Sequence, residues 1–94
     1  MRLSWLRKAL RNLDAEATYI AADDAAAARL VVKRVLDAVA LLPEQPGLGR
    51  PGRVPGTREL VVSSTPYIVP YRVRHERLEL LAVFDGRRQW PRKL

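Results

Sequence analysis

The chain has 94 residues, a formal net charge of +7, 48% apolar side chains, one histidine and no cysteine. That length supports one hydrophobic core and not two, and the composition excludes disulfide frameworks and Cys/His zinc sites. No window reaches the roughly eighteen consecutive apolar residues of a membrane span, and MRLSWLRKALRNL lacks the apolar run and cleavage site of a secretory signal. A single cytoplasmic domain over residues 1–94, without membrane contact, is therefore expected.

The charge is unevenly placed. From Arg50 to Leu94 there are 10 basic and 4 acidic residues, whereas the first 49 residues hold 7 basic and 6 acidic. A positive field confined to one half of a small domain points to an anionic or acidic partner.

Met1 to Trp5 reads as a short strand with Leu3 and Trp5 on one side. From Leu6 the apolar residues Leu6, Ala9, Leu10, Leu13, Ala17 and Ile20 recur at helical spacing, with Arg7, Lys8, Arg11, Asn12 and Glu16 on the opposite face. That helix should end near Ala22. Asp23 or Asp24 can then cap a second helix starting at Ala25 or Ala26, which must stop before Pro43. So short a connection makes the two helices antiparallel neighbours. Residues 43–56 hold four of the seven prolines and four of the five glycines, a density that no helix or central strand survives. They are expected to form an ordered crossing loop that displays Arg50 and Arg53.

Three strands follow. Thr57–Ser63 alternates, with Leu60 and Val62 facing one way and Val61 the other. Tyr67–Arg74 places Tyr67, Val69, Tyr71 and Val73 on one face and Ile68, Pro70, Arg72 and Arg74 on the other. Pro70 cannot donate to a ladder, so local distortion is expected there. After a hairpin over 74–77, Arg77–Phe84 is almost continuously apolar and is expected to be central; Asp85 and Gly86 end it before a basic tail. The order β-α-α-β-β-β describes an α+β fold, a two-helix hairpin packed on one face of a small antiparallel sheet.

Candidate function lies with the arginines. Arg50, Arg53, Arg58, Arg72, Arg74, Arg87 and Arg88, together with Trp90, are the candidate partner- and anion-binding residues, because guanidinium groups grip phosphate and carboxylate bidentately and stay charged. The alternative is a solvated surface whose arginines pair with Glu59, Glu76 and Glu79, and for any single arginine this is the better reading. Tyr67 and Tyr71 could stack bases, but their alternation with Val69 and Val73 places them in the core. His75 has no neighbour to raise its basicity, Ser63 and Ser64 follow no nucleophile pattern, and the glycines match no phosphate or dinucleotide loop. No cofactor and no metal are therefore expected.

Several strings are familiar beyond their composition: Trp5, ALRNLDAEATYIAADD with Tyr19 and Ile20 before an Asp-rich turn, GRPGRVPGTRELVV, TPYIVPYRV and GRRQWP. Together they span nearly the whole chain, which resembles the RelE/ParE superfamily of toxins from bacterial type II toxin–antitoxin modules and is nearer its ParE-like branch. The resemblance implies the same element order. It also implies one of two activities. RelE-like members cleave messenger RNA on the ribosome, and Arg72 and Arg88 match positions where they hold phosphate. ParE-like members trap the cleavage complex of DNA gyrase and need no general base. The proton-moving Tyr or His of the cleaving members is missing. Asp85 stands in its region instead, beside two arginines that should make it a poor base. Gyrase poisoning is thus the favoured expectation; the alternatives are a ribosome-dependent endoribonuclease using Arg72, Arg88 and Asp85, and a non-toxic nucleic-acid-binding domain. The resemblance further implies a cognate ParD-like antitoxin with a ribbon-helix-helix domain and an acidic segment that covers apolar grooves and neutralises arginines.

Overall fold

The structure, a computed structural model, describes residues 1–88 and 94. In chain order the elements are β1 (Arg2–Trp5), α1 (Arg7–Ala21), α2 (Ala25–Ala40), β2 (Arg50–Pro51), β3 (Arg58–Val61), β4 (Tyr67–Arg74), β5 (Arg77–Leu80) and β6 (Phe84–Asp85). The expected order therefore holds, with a two-residue strand inserted in the crossing loop and the last strand split in two. Asp24 is extended and its Oδ1 accepts the Ala27 N–H at 3.0 Å, so it caps α2 as anticipated. None of the helices is long and apolar enough to cross a membrane among the described residues.

Across the sheet the strands run β1-β5-β4-β3-β2, with β6 extending the β5 side of β4. The sheet is mixed: β1 lies parallel to β5, and every other pairing is antiparallel. The parallel pair follows from connectivity, since the two helices carry the chain away from β1 before the sheet returns by hairpins.

β4 is the central strand, and Pro70 disturbs it in a definable way. Tyr71 pairs with Leu80 and Ile68 with Phe84, so the two intervening residues of β4 face three on the partner side, Leu81, Ala82 and Val83. The result is a bulge. The Leu81 N–H donates to the Pro70 carbonyl at 2.9 Å, but proline has no N–H to return. The displaced Val83 N–H finds a partner elsewhere, the Asn12 Oδ1 of α1 at 3.1 Å.

The helices cover one face only. Ala9, Val35, Val39 and Leu42 meet Leu60, Val62, Tyr67, Val69, Tyr71, Leu78, Leu80 and Val83, with Leu3, Trp5, Leu13 and Ile20 packed around them. Burying a leucine such as Leu78 or Leu80 contributes about 1.5–3 kcal/mol. The assignment of Tyr67 and Tyr71 to the core is correct, as both are buried.

Two expectations about α1 need correction. Leu10 is exposed. Asn12 and Glu16, read as solvent-facing, turn toward the sheet, because Ala9, Leu13, Glu16 and Ile20 form the 3–4 spaced stripe that faces it.

The crossing loop is ordered by buried acceptors and donors. The Tyr71 hydroxyl donates to the Pro46 carbonyl at 2.7 Å and accepts the Gly49 N–H at 2.8 Å. A Cβ at Gly49 would stand 2.6 Å from Tyr71 Cε1, so only glycine lets the loop pass this close. Farther along, the buried Glu59 carboxylate accepts Arg50 Nε at 3.0 Å and the Arg53 N–H at 3.2 Å, which ties the loop to β3.

Candidate partner and anion interface

The strands distribute the candidate arginines to different places, and they do not converge on one site. The register puts Arg72 and Arg74 on the face turned away from the helices, near the end of β4. Arg58 is in register with Tyr71 and so lies on the helix side, where its Nη1 donates to the Gly49 carbonyl at 2.7 Å. Arg50 and Arg53 occupy the loop, held through Glu59. Arg87 and Arg88 follow β6 at the opposite end of β4, where Asp85 pairs with Tyr67. Tyr67 is five residues from Arg72 along the strand, which separates their backbones by about 17 Å. Trp90 lies outside the described residues.

At the Tyr67 end, charges are gathered around buried groups. Asp85 is almost wholly buried and accepts the Arg87 N–H at 2.9 Å, Arg87 Nε at 3.1 Å and Arg87 Nη2 at 2.9 Å. Arg88 Nε stands 3.8 Å from the same carboxylate, and Arg88 Nη1 lies 3.6 Å from Glu16 Oε2. The hydrogen-bonded Arg87 side chain holds the Asp85 carboxyl below its ordinary value, outweighing the burial that would raise it. Asp85 both caps the turn and anchors the two arginines. It is therefore a carboxylate locked in place, with little basicity for proton transfer.

Tyr67 faces the same cluster from the core. Burial first, and then the neighbouring Glu16 carboxylate, push its phenol up to about 12, so it stays protonated at any physiological pH. The second carboxylate oxygen of Glu16, Oε1, is buried without a hydrogen-bond partner among the described residues. Arg88 also lies over the Tyr19 ring, 5.6 Å from its centroid. Sequence reasoning missed Glu16 and Asn12 as members of this cluster. Their signal was a polar residue at a core-facing position of an otherwise apolar helical stripe.

At the Arg74 end, Arg72 donates its Nε to Glu79 at 2.7 Å across the β4–β5 pair. That hydrogen bond holds the Glu79 carboxyl below its ordinary value, with the charges of Arg74 and Arg77 adding to the effect. His75 and Glu76 form the hairpin turn, both with positive φ, 51° and 62°. This is the twist-matched two-residue connection that normally takes asparagine and glycine.

Two apolar grooves border the helices. One runs between α2 and the end of β3 beyond its pairing with β2, lined by Ala38, Leu41, Leu48 and Val61 with Arg34 and Arg50 at its rim. The other crosses the outer face of the helical pair between Ala17, Ala21, Ala28, Val32 and Leu36. Leu36, Leu41, Leu48 and Val61 are each about half exposed, which is unusual for large apolar side chains grouped along grooves. Among the described residues no group of three or more His, Cys, Asp and Glu is arranged to hold a metal ion.

Comparison with known proteins gives consistent results. The family model for the ParE toxin of the type II toxin–antitoxin system parDE matches residues 3–90. The chain is 47% identical over 93 residues to a protein of Sinorhizobium fredii (strain NBRC 101917 / NGR234) named "Putative toxin Y4kP", covering 99% of this chain and 96% of that one. Among solved structures it is similar to a chain of the "Chromosomal ParDE TA system from P. aeruginosa", with a TM-score of 0.83 and 31% identity, covering 90% of this chain and 95% of that one.

Proposed function

The chain belongs to the ParE family of toxins from type II toxin–antitoxin systems, and from that premise we propose that it arrests growth by poisoning DNA gyrase and is neutralised by a cognate antitoxin. The observation that carries the choice of target is the state of Asp85. The residue standing where cleaving relatives place a proton-moving group is a buried carboxylate, hydrogen-bonded three times to Arg87, with its pKa held below the ordinary carboxylate value and its basicity correspondingly weak. Tyr67, the nearest phenol, is pushed up to about 12. Neither group exchanges a proton readily near neutral pH, whereas inhibition by binding requires no such exchange. In this reading the toxin acts in the cytoplasm.

A ParDE-type toxin implies an antitoxin partner. The half-exposed Leu41, Leu48 and Val61, with Arg34 and Arg50 beside them, are the surface that an acidic amphipathic segment would cover. Replacing Leu41 or Val61 by aspartate weakens antitoxin binding by about tenfold or more, through lost apolar contact and like-charge repulsion; calorimetry with the purified antitoxin measures it.

The target is tested with purified gyrase. Supercoiling should fall, and cleaved DNA should accumulate, when the free toxin is added. Supercoiling that stays normal at large molar excess of growth-inhibiting toxin contradicts the reading. Cleavage of ribosome-bound message that disappears in Arg88→Ala would replace it with the endoribonuclease.

A further inference from the structure

Three arginines stand in one row across three strands. The registers pair Arg2 of β1 with Arg77 of β5, and Arg77 with Arg74 of β4. Leu3 and Leu78, next to Arg2 and Arg77, and Tyr71, three positions before Arg74, face the core, so by alternation Arg2, Arg77 and Arg74 project from the face that the helices leave uncovered. Adjacent strands are about 4.8 Å apart. Like charges directly opposite one another destabilise a sheet, and here two such pairs share a central member. All three arginines are exposed, and none has a carboxylate within ion-pair distance among the described residues. The facing carboxylate of the next row, Glu79, is already engaged by Arg72. Glu76 and His75 sit in the turn beyond. Met1, Arg2, His75, Glu76 and Arg77 enclose a shallow depression of about 580 Å³ at this end of the sheet.

We propose that the row Arg2–Arg77–Arg74 is a binding site for the sugar-phosphate backbone of duplex DNA. A row of guanidinium groups at strand spacing fits a ligand that carries negative charge at short regular intervals, and phosphate accepts the guanidinium fork in parallel pairs. Among the described residues the site has no aromatic side chain on which unpaired bases could stack, because Tyr67 and Tyr71 are buried on the other face. Among the described residues Met1 is the one large apolar side chain lining it, whereas the grouped apolar anchors that an acidic protein segment needs lie at the grooves beside α2. The contact is with the backbone and reads no sequence. The strained His75–Glu76 turn serves it by holding Arg74 and Arg77 as the closing pair of the hairpin. The inference does not depend on gyrase being the target, since free duplex is the ligand.

The test is fluorescence anisotropy of the full chain with a short labelled duplex of arbitrary sequence, over a salt series. Three phosphate contacts predict that the triple variant R2Q/R74Q/R77Q lowers the slope of log affinity against log salt by about 2.7, and weakens binding at low salt by at least roughly tenfold. A variant of equal charge, R7Q/R11Q/R29Q, alters helices α1 and α2 instead and retains most of that affinity and slope. An equal loss in both variants would mean that net charge alone binds DNA and would overturn the site. So would tighter binding of single-stranded DNA or polyglutamate than of duplex, if lost in the first variant only. Thermal unfolding supplies a readout without ligand: the repulsion within the row is set against the attraction of Arg74 and Arg77 to Glu79, so at low salt R2Q/R74Q/R77Q unfolds no lower than the parent, and a clearly lower midpoint would mean that the row is a stabilising part of the fold and not a site left for a ligand.

Discussion

The two ends of β4 use arginine in opposite ways. At the Tyr67 end, Arg87 and Arg88 converge on the buried Asp85 and the partly buried Glu16. At the other end, Arg74 stands opposite Arg77, and among the described residues of this row and the next Arg72 alone has a carboxylate within ion-pair distance. The difference teaches that the charge excess of this half of the chain is not one surface. Part of it is used inside the molecule at the final turn, and part is left facing outward.

The comparison is broken most readily at its buried end. Asp85→Ala removes the turn cap and the acceptor of three hydrogen bonds, and it lowers stability by about 1–3 kcal/mol in urea unfolding. Asp85→Asn retains one acceptor oxygen for the Arg87 N–H and loses less. An Asp85→Ala variant as stable as the parent would mean that both ends are merely solvated. Acid sharpens the point. Asp85 and Glu79 are held below their ordinary values, so their stabilising contribution is present above the unfolded pKa, near 4, and is lost as pH falls toward the folded values. Unfolding midpoints between pH 5 and pH 3 should therefore fall less steeply in Asp85→Asn than in the parent.

Alkali tests the same end with the opposite sign. The Tyr67 pKa is raised from 10.0 to about 12, so its contribution is full below pH 10 and lost as pH rises through about 12. Tyr67→Phe should flatten that loss, and Glu16→Gln should bring the phenol's ultraviolet titration down toward the ordinary tyrosine value. At the outer end the effects are smaller. Arg72→Gln removes a partly exposed ion pair worth about 0.2–1 kcal/mol. Arg74→Gln leaves stability unchanged or slightly raised, because it relieves a repulsion and breaks no ion pair.

Much of this was legible in the residues. Period-two alternation placed Tyr67–Arg74 with its faces as observed, helical spacing and Asp24 placed the two helices, and Pro70 announced a distortion whose form, a bulge at Leu81–Val83, depended on which neighbour the missing N–H would have faced. The parallel β1–β5 pairing was not legible, since it joins residues more than seventy positions apart and leaves no local pattern. For the same reason Arg2 and Arg77 were not among the candidate arginines, although they complete the row with Arg74. Of the candidates that were named, Arg58 turned out to brace the crossing loop at Gly49, which its strand position could not reveal. Glu16 and Asn12 were misread because their polarity was given more weight than their place in the stripe.

The most direct measurement of the central claim is to induce this chain alone in a sensitive bacterium while following cell length, the DNA-damage response and the rate of protein synthesis. Gyrase poisoning predicts filaments and an induced damage response while translation initially continues. Immediate translational arrest with cut messages would contradict it, and would mean that a group other than the locked Asp85 moves the proton.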